Sequence, residues 1–214
     1  VPPLARRIRE EDVCDLRGLH VYAGTQSFDA GAWVENARGL VSFANQIERD
    51  EGLSLRTLNF GGGLGVPVFE GDTPIDLAAL GAGVRELIAA DARPDRRYFV
   101  ELGRYLTATA GVYLTRVLYL KRSGERQHLI LDGGMHHHAA AAGLGTVIRR
   151  AFPIVVARAP TAEATDKYTL GGPLCTPADE FAANLQLPTV RSGDLIGILG
   201  SGAYGLTFSN ALFL

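Results

Sequence analysis

The chain has 214 residues, 47% of them hydrophobic and 21% charged, with a formal net charge of −2. That balance describes a globular protein with a sizeable core, in one large domain or two small ones, and argues against nucleic acid or an anionic membrane as the main partner. No apolar run is long enough to span a bilayer, and Cys14 and Cys175 lie too far apart to suggest a disulfide framework, which suits a reducing cytoplasm. The sequence opens without methionine on a helix-like stretch, as a fragment would.

Leu4, Ile8, Val13 and Leu16 among many charges predict an exposed helix over residues 2–16, ended by Gly18. Leu19 to Ala23 then reads as a short strand, stopped by Gly24-Thr25-Gln26. Asp29 caps a helix whose apolar stripe is Trp33, Val34, Ala37, Leu40, Val41, Ala44 and Ile47, with Gly52 at its end. Leu53 to Phe60 supplies a second strand, and it runs into Gly61-Gly62-Gly63-Leu64-Gly65. Asp76 opens a further helix with Leu77, Leu80, Val84, Leu87 and Ile88 on one face, and Arg97 to Val100 is a third strand with Glu101 at its end. This alternation of strand, polar or glycine-rich loop and helix is that of β/α units, in which ligands gather at the carboxyl ends of strands.

The pattern changes after about residue 108, so the chain divides into a β/α part over 1–108 and a mainly β part over 109–214. Val112, Leu114, Val117 and Leu120 fit an extended segment, Ser123-Gly124 a hairpin turn, and His128 to Leu131 the returning strand. Short apolar segments follow at 154–156, 168–170, 195–199 and 206–214.

Several residues carry candidate chemistry. The glycines are either a tight turn or a cradle of bared amides suited to a phosphate. Glu101 is either a solvated or salt-bridged carboxylate or the partner of a cation, and Arg104 either stabilises a helix, pairs with Glu101 or serves a phosphate near the cradle, which arginine suits better than lysine. Cys175 is either an inert buried thiol, the common fate of cysteine, or, as its loop rich in glycine and proline favours, an accessible one able to act as an acid or nucleophile. Tyr204, in a glycine-flanked turn, is either an ordinary aromatic of the β part or a neutral donor to a phosphate oxygen. The triplet His136-His137-His138 invites a metal, but neighbouring side chains diverge and no ligand set accompanies them, so no metal is expected.

Taken in order, these motifs resemble the fold-type III pyridoxal-phosphate decarboxylases, which include the diaminopimelate, ornithine and arginine decarboxylases. Gly61 to Gly65 resembles the phosphate loop, Glu101-Leu102-Gly103-Arg104 the Glu-Pro-Gly-Arg motif, and Asp132-Gly133-Gly134-Met135 the start of the β domain. Gly172-Pro173-Leu174-Cys175 matches the loop cysteine and Gly202-Ala203-Tyr204 the cofactor tyrosine. The wording is most similar to a subgroup found with exosortase and carrier-protein gene clusters. The resemblance implies the C-terminal part of a (β/α)8 barrel, roughly its last three units, followed by a mainly antiparallel β domain.

The implied cofactor is pyridoxal 5′-phosphate, held at its phosphate by Gly61, Gly62, Gly63, Thr25, Arg104 and Tyr204, beside Gly103, with Glu101 at the ring nitrogen. Cys175 would return a proton to the substrate in a neighbouring subunit's site, which implies a head-to-tail homodimer. Substrate contacts would come from Thr176, Asp179 and Arg149, with Arg150 as the other candidate for a lost distal-carboxylate arginine. The implied activity is α-decarboxylation of an amino acid or of an amino-acyl group linked to a carrier protein. A non-catalytic decarboxylase-like regulator is the alternative.

Four departures qualify the resemblance. Tyr22 replaces the histidine that stacks on the coenzyme ring, Thr176 replaces an acidic residue, and Ala139 to Leu144 replace the segment that binds a distal carboxylate. A neutral Thr176 disfavours diamine-type substrates. The lysine that carries the coenzyme has no match, because Lys121 and Lys167 lie outside its motif, so the chain is expected to be the latter part of a longer enzyme.

Overall fold

The computed structural model describes residues 1–11, 14–69, 71–145 and 150–213. They form two compact units, one of residues 1–66 and 73–105, the other of 67–72 and 106–214.

The first unit begins with α1 (Pro2–Glu10), shorter than the helix over 2–16 that the apolar spacing predicts. Glu11 is already extended, with φ −102° and ψ 126°. Three short parallel strands follow, β1 (Gly18–His20), β2 (Thr57–Asn59) and β3 (Arg97–Phe99), ordered β1-β2-β3. Between them run α2 (Ala30–Glu51) and α3 (Leu77–Asp91). The Asp29 carboxylate accepts the Ala32 amide and that of Asp76 accepts the Ala78 and Ala79 amides, so both expected caps form. Gly52 ends α2 at φ 65°, a backbone open to glycine at little cost.

The predicted α2 stripe is buried with Leu58, Phe60, Leu80 and Leu87. Both helices therefore pack on the Leu58 side of the sheet. Alternation sends His20, Asn59 and Phe99, which are in register, to the opposite side. A buried ion network fixes the same layers. The Arg96 guanidinium, fully buried, donates to Glu48 at 2.7 Å, Asp91 at 2.7 Å, Asn45 at 2.9 Å and the Leu55 carbonyl at 3.1 Å.

The second unit carries a six-stranded sheet in the order β6-β9-β4-β5-β7-β8. Its strands are β4 (Val112–Ser123), β5 (Arg126–Leu131), β6 (Ile154–Val156), β7 (Asp166–Gly171), β8 (Glu180–Leu187) and β9 (Leu195–Leu199). All neighbours are antiparallel except β5 and β7. The core gathers Val117, Leu129, Leu131, Tyr168, Leu170, Phe181, Ile196 and Ile198.

Two details depart from the sequence expectation. β8 is a strand where none is expected, because Ala182, Ala183 and Asn184 carry low strand propensity and Asn184 breaks the alternation at φ 53°. The segment expected at 206–214 starts as a 3-10 turn over Leu206–Phe208, not a strand.

Candidate active site

At the carboxyl end of the three-stranded sheet, β2 continues into the glycine bend. Gly61 and Gly63 adopt φ +71° and +86°, the left-handed backbone that glycine tolerates. Close approach of the neighbouring chains is the second reason for glycine here. A Cβ on Gly61 would lie 2.3 Å from the Val21 carbonyl oxygen, one on Gly62 2.0 Å from that of Glu101, and one on Gly63 2.0 Å from that of Gly24. The bend is thus wedged between the ends of β1 and β3, with the Cα of Thr25 3.5 Å from where the Gly63 Cβ would be. Gly103 differs, since a Cβ there would meet nothing within 4 Å.

The amides of this bend have distinct fates. The Gly61 N–H donates to Asn59 Oδ1 at 2.9 Å and the Gly65 N–H to the Ser27 carbonyl at 2.8 Å. Those of Gly62 and Gly63 donate to nothing among the described residues. Two unengaged donors on a half-buried turn are the donor chemistry that an anion needs. The Gly62 and Gly63 carbonyls, by contrast, are held by the Trp33 indole N–H at 3.1 Å and the Ser27 amide at 2.9 Å. This anchors the bend without using its free donors.

Glu101 lies at the same sheet end. Its amide donates to the Gly61 carbonyl at 2.7 Å, and its Oε1 accepts Asn59 Nδ2 at 2.7 Å. His20 Nε2 is 3.6 Å from Glu101 Oε2. Asn59 therefore bridges the bend and the carboxylate, through Oδ1 to Gly61 and Nδ2 to Glu101. Neither Asn59 nor His20 stands out in the sequence; their signal is only that both end short strands in register. Tyr22 leaves β1 with 65% of its surface exposed. Arg104 opens a short helix, α4 (Arg104–Thr107), just beyond Glu101.

The second unit presents another group of residues. Cys175 is exposed, as its glycine- and proline-containing loop implies. Asp179, expected at the substrate, is only 5% exposed, and both carboxylate oxygens are occupied by main-chain donors. Oδ1 accepts the Met135 amide at 2.6 Å and Oδ2 the Leu174 amide at 2.8 Å. Thr176 uses its hydroxyl to accept the Ala178 amide at 3.3 Å, and its carbonyl accepts the Asp179 amide at 3.1 Å. Arg149 lies outside the described residues, whereas Arg150 pairs with Asp72 at 3.1 Å and stacks its guanidinium 4.2 Å from the Phe69 ring centre.

The histidine triplet splits by environment. His136 and His137 rings lie 3.8 Å apart, and His137 Nδ1 is 3.3 Å from the Tyr113 hydroxyl. Burial, then the neighbouring His137, lowers the His136 pKa. His138 is fully buried, its Nδ1 accepts the Ala141 amide at 3.3 Å and its Nε2 lies 2.9 Å from Ser201 Oγ. An Nδ1 that accepts leaves the proton on Nε2, so the ring is neutral, and burial lowers its pKa to about 4. Among the described residues no three His, Cys, Asp or Glu side chains group as metal ligands. Tyr113, His137, His138 and Ser201 line a cavity of about 360 Å³ with Leu206.

Tyr204 sits at φ 55°, a backbone that tyrosine adopts rarely, with its ring edge-on to Phe208 at 6.3 Å. The preceding Gly202 is obligatory, because a Cβ there would lie 1.8 Å from the Thr107 carbonyl oxygen. Lys121 and Lys167 are exposed on β4 and β7, so neither reaches into the core of the second unit.

A parallel sheet with free amides and a braced carboxylate at its carboxyl end, followed in the chain by a mainly antiparallel β unit, is the arrangement of a β/α-barrel segment with an appended β domain. The chain belongs to the pyridoxal-dependent decarboxylases: the family described as "Pyridoxal-dependent decarboxylase, C-terminal sheet domain" matches residues 13–202. It is 39% identical over 203 residues to the L-glutamyl-[BtrI acyl-carrier protein] decarboxylase of Niallia circulans, covering 92% of this chain and 47% of that protein. It is 33% identical over 196 residues to the diaminopimelate decarboxylase of Archaeoglobus fulgidus, covering 90% and 45% respectively. The structure is similar to that of a point mutant of diaminopimelate decarboxylase from Helicobacter pylori complexed with L-lysine, with a TM-score of 0.81, 25% identity, and coverage of 97% of this chain and 49% of that one. The chain therefore spans about half the length of the relatives it matches.

Proposed function

We propose that this chain supplies the phosphate and ring-nitrogen contacts of a pyridoxal-phosphate-dependent α-decarboxylase whose substrate is an amino acid or a carrier-linked amino-acyl group. The observation that carries this reading is the pairing of two unengaged amides, Gly62 and Gly63, with a carboxylate fixed by Asn59 at the same sheet end. The residues suit the cofactor: the free amides would receive the phosphate, with Thr25 and Arg104 adding donors. Pyridoxal phosphate supplies the electron sink that lets an α-carboxylate leave as carbon dioxide.

Glu101 would keep the coenzyme's ring nitrogen protonated. Asn59, by donating to Oε1, orients the carboxylate, with His20 3.6 Å from Oε2. Tyr22 would offer the ring an aromatic face. Cys175, at the tip of an exposed loop, returns a proton to the substrate's α-carbon in the site of a second copy, arranged head to tail. Thr176 offers a hydroxyl where a cationic substrate end would need an anion. A glutamyl-type or otherwise uncharged side-chain end, as in the carrier-linked substrate named for the Niallia relative, suits it better than a diamine.

The test uses the full-length protein. It should bind pyridoxal phosphate with a visible absorbance band and release carbon dioxide from an amino-acyl substrate. Glu101→Gln keeps the Asn59 bond and removes the charge, so decarboxylation should fall on the order of 100-fold while the coenzyme stays bound. Wild-type turnover in that variant would refute the assignment.

A further inference from the structure

Asp179, which the resemblance places at the substrate, is a buried carboxylate with a main-chain donor on each of its oxygens. Its Oδ1 accepts the amide of Met135, which ends the Asp132 to Met135 segment after β5, and its Oδ2 accepts the amide of Leu174, immediately before Cys175. Its own carbonyl accepts the Gly172 amide at 2.9 Å and its amide donates to the Thr176 carbonyl at 3.1 Å. Thus the loop over 172–179 is closed on both sides of Cys175 by one residue. The glycines around it complete the arrangement. A Cβ on Gly134 would lie 2.3 Å from Asp179 Oδ1, and one on Gly172 would lie 2.2 Å from Oδ2. Two chain segments are therefore pared to glycine so that the main chain can approach a single buried carboxylate. A charged group that accepts two main-chain donors in this way binds more strongly than a neutral acceptor, and it fixes loop geometry that glycine and proline leave loose.

We infer that Asp179 is a positioning residue for Cys175: its carboxylate locks the cysteine loop to the Gly134-Met135 turn and so fixes where the thiol is presented. The inference rests on the proposed decarboxylation only for its kinetic readout. An aspartate can hold both amides at once because both oxygens accept. In Asp179→Asn one of these positions becomes an NH2 group facing an N–H donor, so one strut is lost while the side-chain volume is kept. The role also differs from substrate binding, since the carboxylate is buried with a main-chain donor already on each oxygen.

The experiment compares full-length wild type, Asp179→Asn, Cys175→Ala and the double variant, each loaded with coenzyme. Asp179→Asn should lower kcat on the order of 10-fold with KM and coenzyme absorbance nearly unchanged. In the Cys175→Ala background the same substitution should have no further effect, because residues acting through one group are not additive. Independently of turnover, the rate at which iodoacetamide labels Cys175, followed by peptide mass mapping, should change by at least about threefold in Asp179→Asn. Multiplicative losses in the double variant, or an unchanged labelling rate, would overturn the inference. If the wild type releases no carbon dioxide, the proposed function fails and the labelling rate alone decides this one. If Asp179→Asn does not fold, Gly172→Ala, which pushes a methyl group against Oδ2 from the other side, is put through the same comparison with the same criteria.

Discussion

The two units set out their polar groups by opposite means. In the first, the donors are main-chain amides bared by glycine, and the carboxylate Glu101 stands on the sheet side away from the helices, braced by Asn59. In the second, the carboxylate is buried and spent on the main chain, and the presented group is the thiol that it frames. The first unit leaves donors unsatisfied at its surface; the second satisfies every oxygen of Asp179 to fix a loop. The contrast teaches that the same residue type, an acid after a short strand or in a glycine-containing loop, is left partly open or wholly spent on the main chain according to what donors the fold brings to its oxygens.

The strongest blow to this contrast is Gly62→Ala. The added methyl would have to sit 2.0 Å from the Glu101 carbonyl oxygen, so the ends of β2 and β3 must part and the free amides turn away. Coenzyme affinity should fall on the order of 1,000-fold, about 4 kcal/mol, measured by titrating the absorbance band. An alanine variant that binds normally would mean the glycine bend is only a turn.

The next effect belongs to the second unit and to acid. His138 is buried neutral with its pKa lowered to about 4, whereas an unfolded histidine titrates near 6.5. Between those values the unfolded chain binds a proton that the folded one refuses, so stability is full above about pH 6.5 and declines as pH falls toward 4. The loss approaches about 3 kcal/mol, from roughly 1.4 kcal/mol for each pH unit of the window. Thermal melts across that window should show a falling midpoint. His138→Asn, which does not titrate, should start lower and flatten the slope; an unchanged slope would place the acid sensitivity elsewhere.

The smallest effect sharpens the first unit. Asn59→Leu removes the two side-chain bonds by which Asn59 joins the Gly61 amide to the Glu101 carboxylate, and leaves the main-chain bond between Glu101 and Gly61. Turnover should drop on the order of 10-fold with coenzyme still bound, since the carboxylate remains but is no longer held. A loss equal to that of Glu101→Gln would show instead that Asn59 touches the cofactor itself.

How much of this was legible depends on the range of the contacts. The caps Asp29 and Asp76, the stripe on α2 and the strand-to-glycine junction are all written within a few residues, and each forms as the spacing implies. β4 shows the limit. Its apolar residues Val112 and Leu114 are exposed, while Tyr113, Thr115 and Val117 face inward, because the pleat and a bulge between Val117 and Tyr119 set the faces rather than the residue types. The early helix is shorter than its periodicity suggests for a related reason, since amphipathic spacing does not mark where a chain leaves helical dihedrals.

The sequence by itself determined the β/α-then-β order, the glycine bend, the acid that closes β3 and the accessible cysteine, because each depends on local backbone freedom or short-range periodicity. The tertiary structure alone decided that Asn59 and His20 flank Glu101, that His138 is a neutral core residue, and that Asp179 serves the main chain. Those outcomes join distant residues, His138 and Ser201 among them, and no local pattern encodes which distant amide or hydroxyl a polar group will meet.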